Sequence, residues 1–148
     1  QPLRLVARDS EGLAVLSALV QDAVFPATEM VYAKTRRRFA LMLNRFRWED
    51  LPAAERAGRK VERVQSLLVF QDVMAVQSQG LLRRDKDTVM SLLGMTFLPG
   101  EDGMGRIVLV LAGDGEVALS VESLDASLRD VTRPYLAPSG KTPVHPDL

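Results

Sequence analysis

The stretch Ile107-Val108-Leu109-Val110-Leu111-Ala112-Gly113-Asp114-Gly115-Glu116-Val117-Ala118-Leu119-Ser120-Val121 decides how the chain is read. Ile107, Leu109 and Leu111 recur at every second position, and Val117, Leu119 and Val121 do the same beyond Gly113-Asp114-Gly115. Successive side chains of an extended strand leave opposite faces, so each set lies on one face. Asp-Gly between two such runs marks a hairpin, because its turn needs positive φ and these residues tolerate it.

The same alternation spreads outward. Leu93, Met95 and Phe97 form a run that stops at Pro99-Gly100. Val61 to Phe70 and Val73 to Gln79 read as an extended pair turning at Gln71-Asp72. Met30 to Ala33 and Phe39 to Trp48 read as a hairpin around Lys34 to Arg38, with Phe39, Leu41 and Leu43 on one face. Residues 49 to 60 are charged, carry Pro52 and Gly58, and read as a solvated loop. Leu3, Leu5 and Ala7 make a short first strand.

Helical spacing occurs at two places. Asp9 and Ser10 offer capping side chains, Glu11 suits the first turn, and Leu13, Leu16, Val20 and Val24 follow at threes and fours until Pro26. This predicts an amphipathic helix over about 10 to 24. Leu124, Leu128 and Val131 predict a short closing helix. Beyond Thr132, Pro134, Pro138, Pro143 and Pro146 hold half of the 8 prolines, which predicts an extended tail over 132–148 after a single domain at 1–131.

The expected class is α+β: a mainly antiparallel β meander of about seven strands forming a half-open or closed barrel. Seven strands and a closing helix is also the element order of pleckstrin-homology-like barrels, an analogy without functional weight. Apolar runs at Leu67 to Val69 and Val108 to Leu111 suit strands buried on both faces, either under the helix or in a homodimer.

Composition narrows the function. The 148 residues hold 47% hydrophobic and 26% charged side chains, ordinary for a folded domain. Charges balance at 19 against 19, so no global field draws the protein to nucleic acid or anionic membrane. Without cysteine, thiol catalysis, disulfides and thiolate metal sites are excluded. No apolar run reaches the roughly 18 residues of a spanning helix, and a cytoplasmic protein is expected.

Several stretches together carry a resemblance. They are Leu3 to Ala7, Leu16 to Ala23, Arg38 to Glu49 with its distinctive Leu43-Asn44-Arg45-Phe46-Arg47-Trp48-Glu49, Ser91 to Leu93, and Val121 to Pro134. The chain resembles the bacterial family known as domain of unknown function 2948. The resemblance implies a small stand-alone bacterial domain and brings no activity or catalytic residues with it.

The chemistry-bearing candidates are few. Arg36, Arg37, Arg38, Arg45 and Arg47 with Trp48 interleave cations and an aromatic ring, as single-strand binders do on an open sheet. Residues 1 to 63 carry a net +4 and the remainder −4, so the chain is electrically lopsided. Strict alternation also explains the segment structurally, with Phe46 and Trp48 in a core and Arg45 and Arg47 in water. Asp85 and Asp87 stand two apart as some metal ligands do, but Asp87 serves equally as a cap. Gly100, Gly103 and Gly105 match no phosphate-loop spacing, and the lone His145 has neither a thiol nor enough ligand partners. No metal, cofactor or catalytic set is expected. The leading expectation is a non-enzymatic binding or protein-interaction module, and the alternative is a nucleic-acid or anion binder using the 36–47 region. A small enzyme built from Asp, Glu, Ser and Arg is the third.

Overall fold

The computed structural model describes residues 2–80 and 88–136. Its strands are β1 (Arg4–Ala7), β2 (Ala23–Pro26), β3 (Met30–Ala33), β4 (Arg38–Phe46) and β5 (Arg63–Phe70), then β6 (Val73–Gln79), β7 (Val89–Pro99), β8 (Gly105–Leu111), β9 (Gly115–Val121) and β10 (Ala126–Asp130). Helix α1 (Ser10–Leu19) follows β1 and helix α2 (Leu51–Ala57) precedes β5. The strands join in one sheet of order β1-β10-β5-β4-β2-β7-β8-β9-β6, with β3 paired to β4. Every ladder is antiparallel.

The hairpin over residues 107–121 forms as expected. Ile107 lies opposite Leu119 and Leu109 opposite Val117, all buried, while Gly113 and Asp114 take φ of 82° and 67° in the turn. The β3–β4 hairpin forms as well, with Tyr32 opposite Phe39 and Arg37 at φ 53° in its turn.

Where β5 and β6 were expected to pair, the chain turns a corner. Only Gln71 and Asp72 separate them, yet they stand third and last along the sheet. The backbone N–H of Gln71 donates to the Asp125 carbonyl and that of Glu122 to the Asp72 carbonyl, both at 2.9 Å. The β5–β6 and β9–β10 segments therefore bend side by side, carrying two neighbouring strands from one half of the sheet into the other. This folds the sheet over a shared core, yet the sheet is not closed. Across the remaining seam, the Tyr32 hydroxyl donates to the Val73 carbonyl and the Val73 N–H to the Arg37 carbonyl, each at 2.8 Å.

Inward side chains from both halves form one cluster, including Phe25, Leu41, Leu68, Leu92, Leu109 and Leu119. Helix α1 adds Leu13 and Leu16. Its N-terminus is capped by Asp9, whose carboxylate accepts from the Gly12 N–H at 2.7 Å. The Ser17 hydroxyl accepts from the Met95 N–H at 2.9 Å, beside a register shift between Leu92 and Gly94. That bulge breaks the expected alternation. Leu92 and Met95 face the core, while Leu93 is 46% exposed.

Several other expectations are corrected. Helix α1 ends at Leu19 rather than near residue 24, because Asp22 adopts φ 64° and the chain enters β2 against β7. Val24 thus follows Val20 at helical spacing only by coincidence. The loop expected over residues 49 to 60 is instead largely ordered: Trp48–Asp50 form a 3₁₀ turn and Leu51–Ala57 form α2, with Pro52 in the first turn and Gly58 at φ 67° ending the helix. The closing helix over 124–131 is strand β10, inserted between β1 and β5. Among the described residues there are ten strands rather than seven and no helix after β10, so the described elements do not follow the pleckstrin-homology-like order. Of the tail, Tyr135 bridges to Arg63. Residues 137–148, with His145, lie outside the described residues, as do Asp85 and Asp87.

Candidate anion-binding face

The arginines singled out from the sequence do not form one patch. Arg36 and Arg37 lie in the turn before β4, Arg38 opens the strand, Arg45 stands near its end and Arg47 just beyond it, so Arg38 and Arg45 are about 23 Å apart at roughly 3.3 Å per residue. Alternation along β4 puts Arg45 on the same face as Phe39, Leu41 and Leu43, so it is fully buried rather than solvated. Its Nη1 donates to the Phe46 carbonyl at 3.0 Å and to Glu49 Oε1 at 2.9 Å. Its Nη2 donates to Glu49 Oε2 at 2.8 Å and Asp130 Oδ1 at 3.0 Å. Nε reaches Ser66 Oγ at 3.1 Å, and Ser66 donates in turn to Asp130 Oδ1 at 2.7 Å.

All five N–H groups of Arg45 are thus used within the protein. Burial alone would push the guanidinium pKa down, but Glu49 and Asp130 outweigh it and hold it above its ordinary value. Burial likewise opposes ionisation of Glu49, and the Arg45 hydrogen bond reverses that, keeping Glu49 below its ordinary value. This cluster is an internal fastening between β4, β5 and β10.

Arg47 is paired with Glu62 and lies 3.6 Å from Asp50. The Trp48 indole N–H donates to the Gln21 carbonyl at 2.9 Å, and its ring packs 5.4 Å from Phe46. Phe46, Ala54 and Val61 make a second small core under α2. Arg63 lies 4.2 Å over the Phe46 ring and donates to Asn44 Oδ1 at 3.0 Å, while burial lowers its pKa. Arg36 is exposed, and Arg37 pairs with Glu122 at 2.9 Å.

Arg38 belongs to a different assembly. The outer face of β1, β10, β5 and β4 forms a cleft of about 480 Å³. Its floor is apolar, with Val6, Leu67, Val69 and Ala40, and arginines surround it: Arg4, Arg8, Arg38 and Arg129. Register explains the placement. Arg4 stands directly opposite Arg129, and Val6 opposite Ser127. Arg129 stands opposite Leu67, which in turn faces Met42. Arg38 closes the far corner, its Nε 3.4 Å from Gln71 Oε1. Arg8 to Arg38 spans about three strand spacings, roughly 14 Å. Asp125 is the one acid lining this cleft, and none of the four arginines enters an ion pair among the described residues.

A second hollow of about 460 Å³ lies where β4 changes partner from β3 to β2, lined by Val24, Met42, Asn44 and Gln65. Among the described residues no group of three or more His, Cys, Asp or Glu is placed to hold a metal ion.

Arg4 and Arg8 were within reach of sequence reasoning, since Arg4, Val6 and Arg8 share one face of the first strand by simple alternation. Arg129 was not, because its segment reads as helix and its register with Arg4 is a tertiary fact.

Fold and site together define a small antiparallel-sheet protein with a basic outer face. The model of the family described as protein of unknown function DUF2948 matches residues 3–145, and the chain belongs to that family. No curated protein and no solved structure matches. No described helix is long and apolar enough to cross a membrane.

Proposed function

We propose that this protein is a non-enzymatic binding module that holds an anionic ligand on the outer face of β1, β10, β5 and β4. One observation carries the reading: Arg4 faces Arg129 across the β1–β10 ladder, over a cleft that Arg8 and Arg38 also border. Like charges directly opposite on a sheet repel and lower stability. A bound anion turns that repulsion into a shared attraction, with guanidinium forks that suit carboxylate or phosphate oxygens. The apolar floor adds contact area for the body of the ligand.

The nucleic-acid version of this reading is the weaker one. Among the described residues no aromatic side chain lines the cleft, so bases would find no ring there on which to stack. Calorimetric titration with tripolyphosphate at low salt tests the proposal. Saturable binding is expected, weakening as salt rises and lost when Arg4 and Arg129 are both replaced by Gln. Absence of saturable binding by the intact protein would overturn it.

A further inference from the structure

We infer that the ligand is an extended acidic polypeptide segment that pairs with the open edge of β1; this rests on the anion-binding reading above. Strand β1 ends the sheet path, and among the described residues nothing pairs with its second edge. Its hydrogen-bond phase follows from one contact. The Asp130 N–H donates to the Leu3 carbonyl at 2.9 Å, so Leu3 is a residue that bonds towards β10. In an antiparallel ladder such residues alternate, so Leu5 and Ala7 also bond inward. Arg4 and Val6 then turn their N–H and C=O groups to the open edge.

The side chains repeat on the same period. Arg4, Val6 and Arg8 stand on the outer face two residues apart, about 6.8 Å per step. An added strand has that spacing too, so acidic, apolar and acidic residues at alternate positions would lie beside Arg4, Val6 and Arg8. Val6 is 55% exposed and offers the apolar contact between them. On the inner side Leu3 and Leu5 are only half-buried and would receive the intervening side chains. Main-chain bonds supply adhesion in such additions, and alternate side chains supply the choice of partner.

Charge also selects the occupant. Two copies of β1 laid edge to edge would bring arginines together, which disfavours self-pairing. An acidic strand meets no such barrier. The opposite edge strand, β6, carries Met74, Ala75, Val76, Gln77, Ser78 and Gln79, and so has no charge with which to discriminate.

Fluorescence anisotropy with the full chain and a labelled, end-blocked peptide Ser-Glu-Leu-Val-Leu-Glu-Ser tests this. N-methylation of its central valine removes the N–H that faces Val6, and should weaken binding at least tenfold. N-methylation of the following leucine, whose N–H faces away, should leave binding within about twofold. Arg4→Ala with Arg8→Ala should cost roughly tenfold, with an unchanged circular dichroism spectrum showing that the fold persists. Equal loss or equal tolerance for the two methylated peptides overturns strand addition. Tripolyphosphate binding without peptide binding overturns it too, while leaving the anion-binding reading intact. Failure of both probes overturns both.

Discussion

Arg45 shows how a residue that looks solvated in the sequence becomes the most committed side chain in the fold. Removing it strands the Asp130 carboxylate, whose side chain is 4% exposed, without its cation. Arg45→Ala should therefore destabilise the protein by about 3–5 kcal/mol in urea denaturation, the range for breaking a buried ion pair. Glu49 adds a pH dependence with a definite sign. Its pKa in the folded state lies below the ordinary 4.5, so the unfolded chain takes up its proton first as pH falls. The stabilisation is complete above that value and is lost as pH drops through the lower, folded-state pKa. Glu49→Gln should flatten this acid limb in denaturation curves recorded at successive pH values, and leave the neutral-to-alkaline shape unchanged. At the basic face the trade runs the other way. Arg129→Gln relieves the repulsion with Arg4, and should raise stability by a few tenths of a kcal/mol while weakening tripolyphosphate binding.

Individual elements depend on small devices that periodicity does not announce. Strand β2 accompanies β7 only as far as Leu92, and just past the bulge that follows, Ser17 on α1 accepts from the Met95 N–H. Ser17→Ala should cost about 1–2 kcal/mol by thermal denaturation, since a backbone donor loses its partner there. Such devices explain which elements were legible. The β8–β9 hairpin was readable because Asp114-Gly115 and two uninterrupted alternating runs agree on one structure. Strand β10 was not, because Leu124, Leu128 and Val131 have helical spacing, and five residues between two strands obey the sheet instead. Helix α2 was hidden by its charge, for only Ala54 is buried along it. The site divided in the same manner. Arg38 is visible as a candidate in the sequence, whereas its companion Arg129 depends on the register of a strand whose spacing is helical. The burial of Arg45 is legible in principle, since strict alternation from Phe39, Leu41 and Leu43 leads to its side of β4.

At the scale of the whole molecule, two corners and one seam decide the shape. Tyr32 fastens the seam through its hydroxyl, which reaches β6 from β3. Tyr32→Phe should leave the fold in place, cost about 1 kcal/mol, and speed amide hydrogen exchange along β6, as expected where an edge is held by few bonds. The order of strands also bears on how the chain comes to be folded during synthesis. Strand β1 emerges before the other nine strands, yet among the described residues it pairs only with β10, some 120 residues later, as the pairing of Arg4 with Arg129 shows. The β1 segment must therefore wait, unpaired on that side, until β10 has left the ribosome. A chain arrested before residue 126 would retain the hairpins but leave its opening segment unanchored and open to proteases.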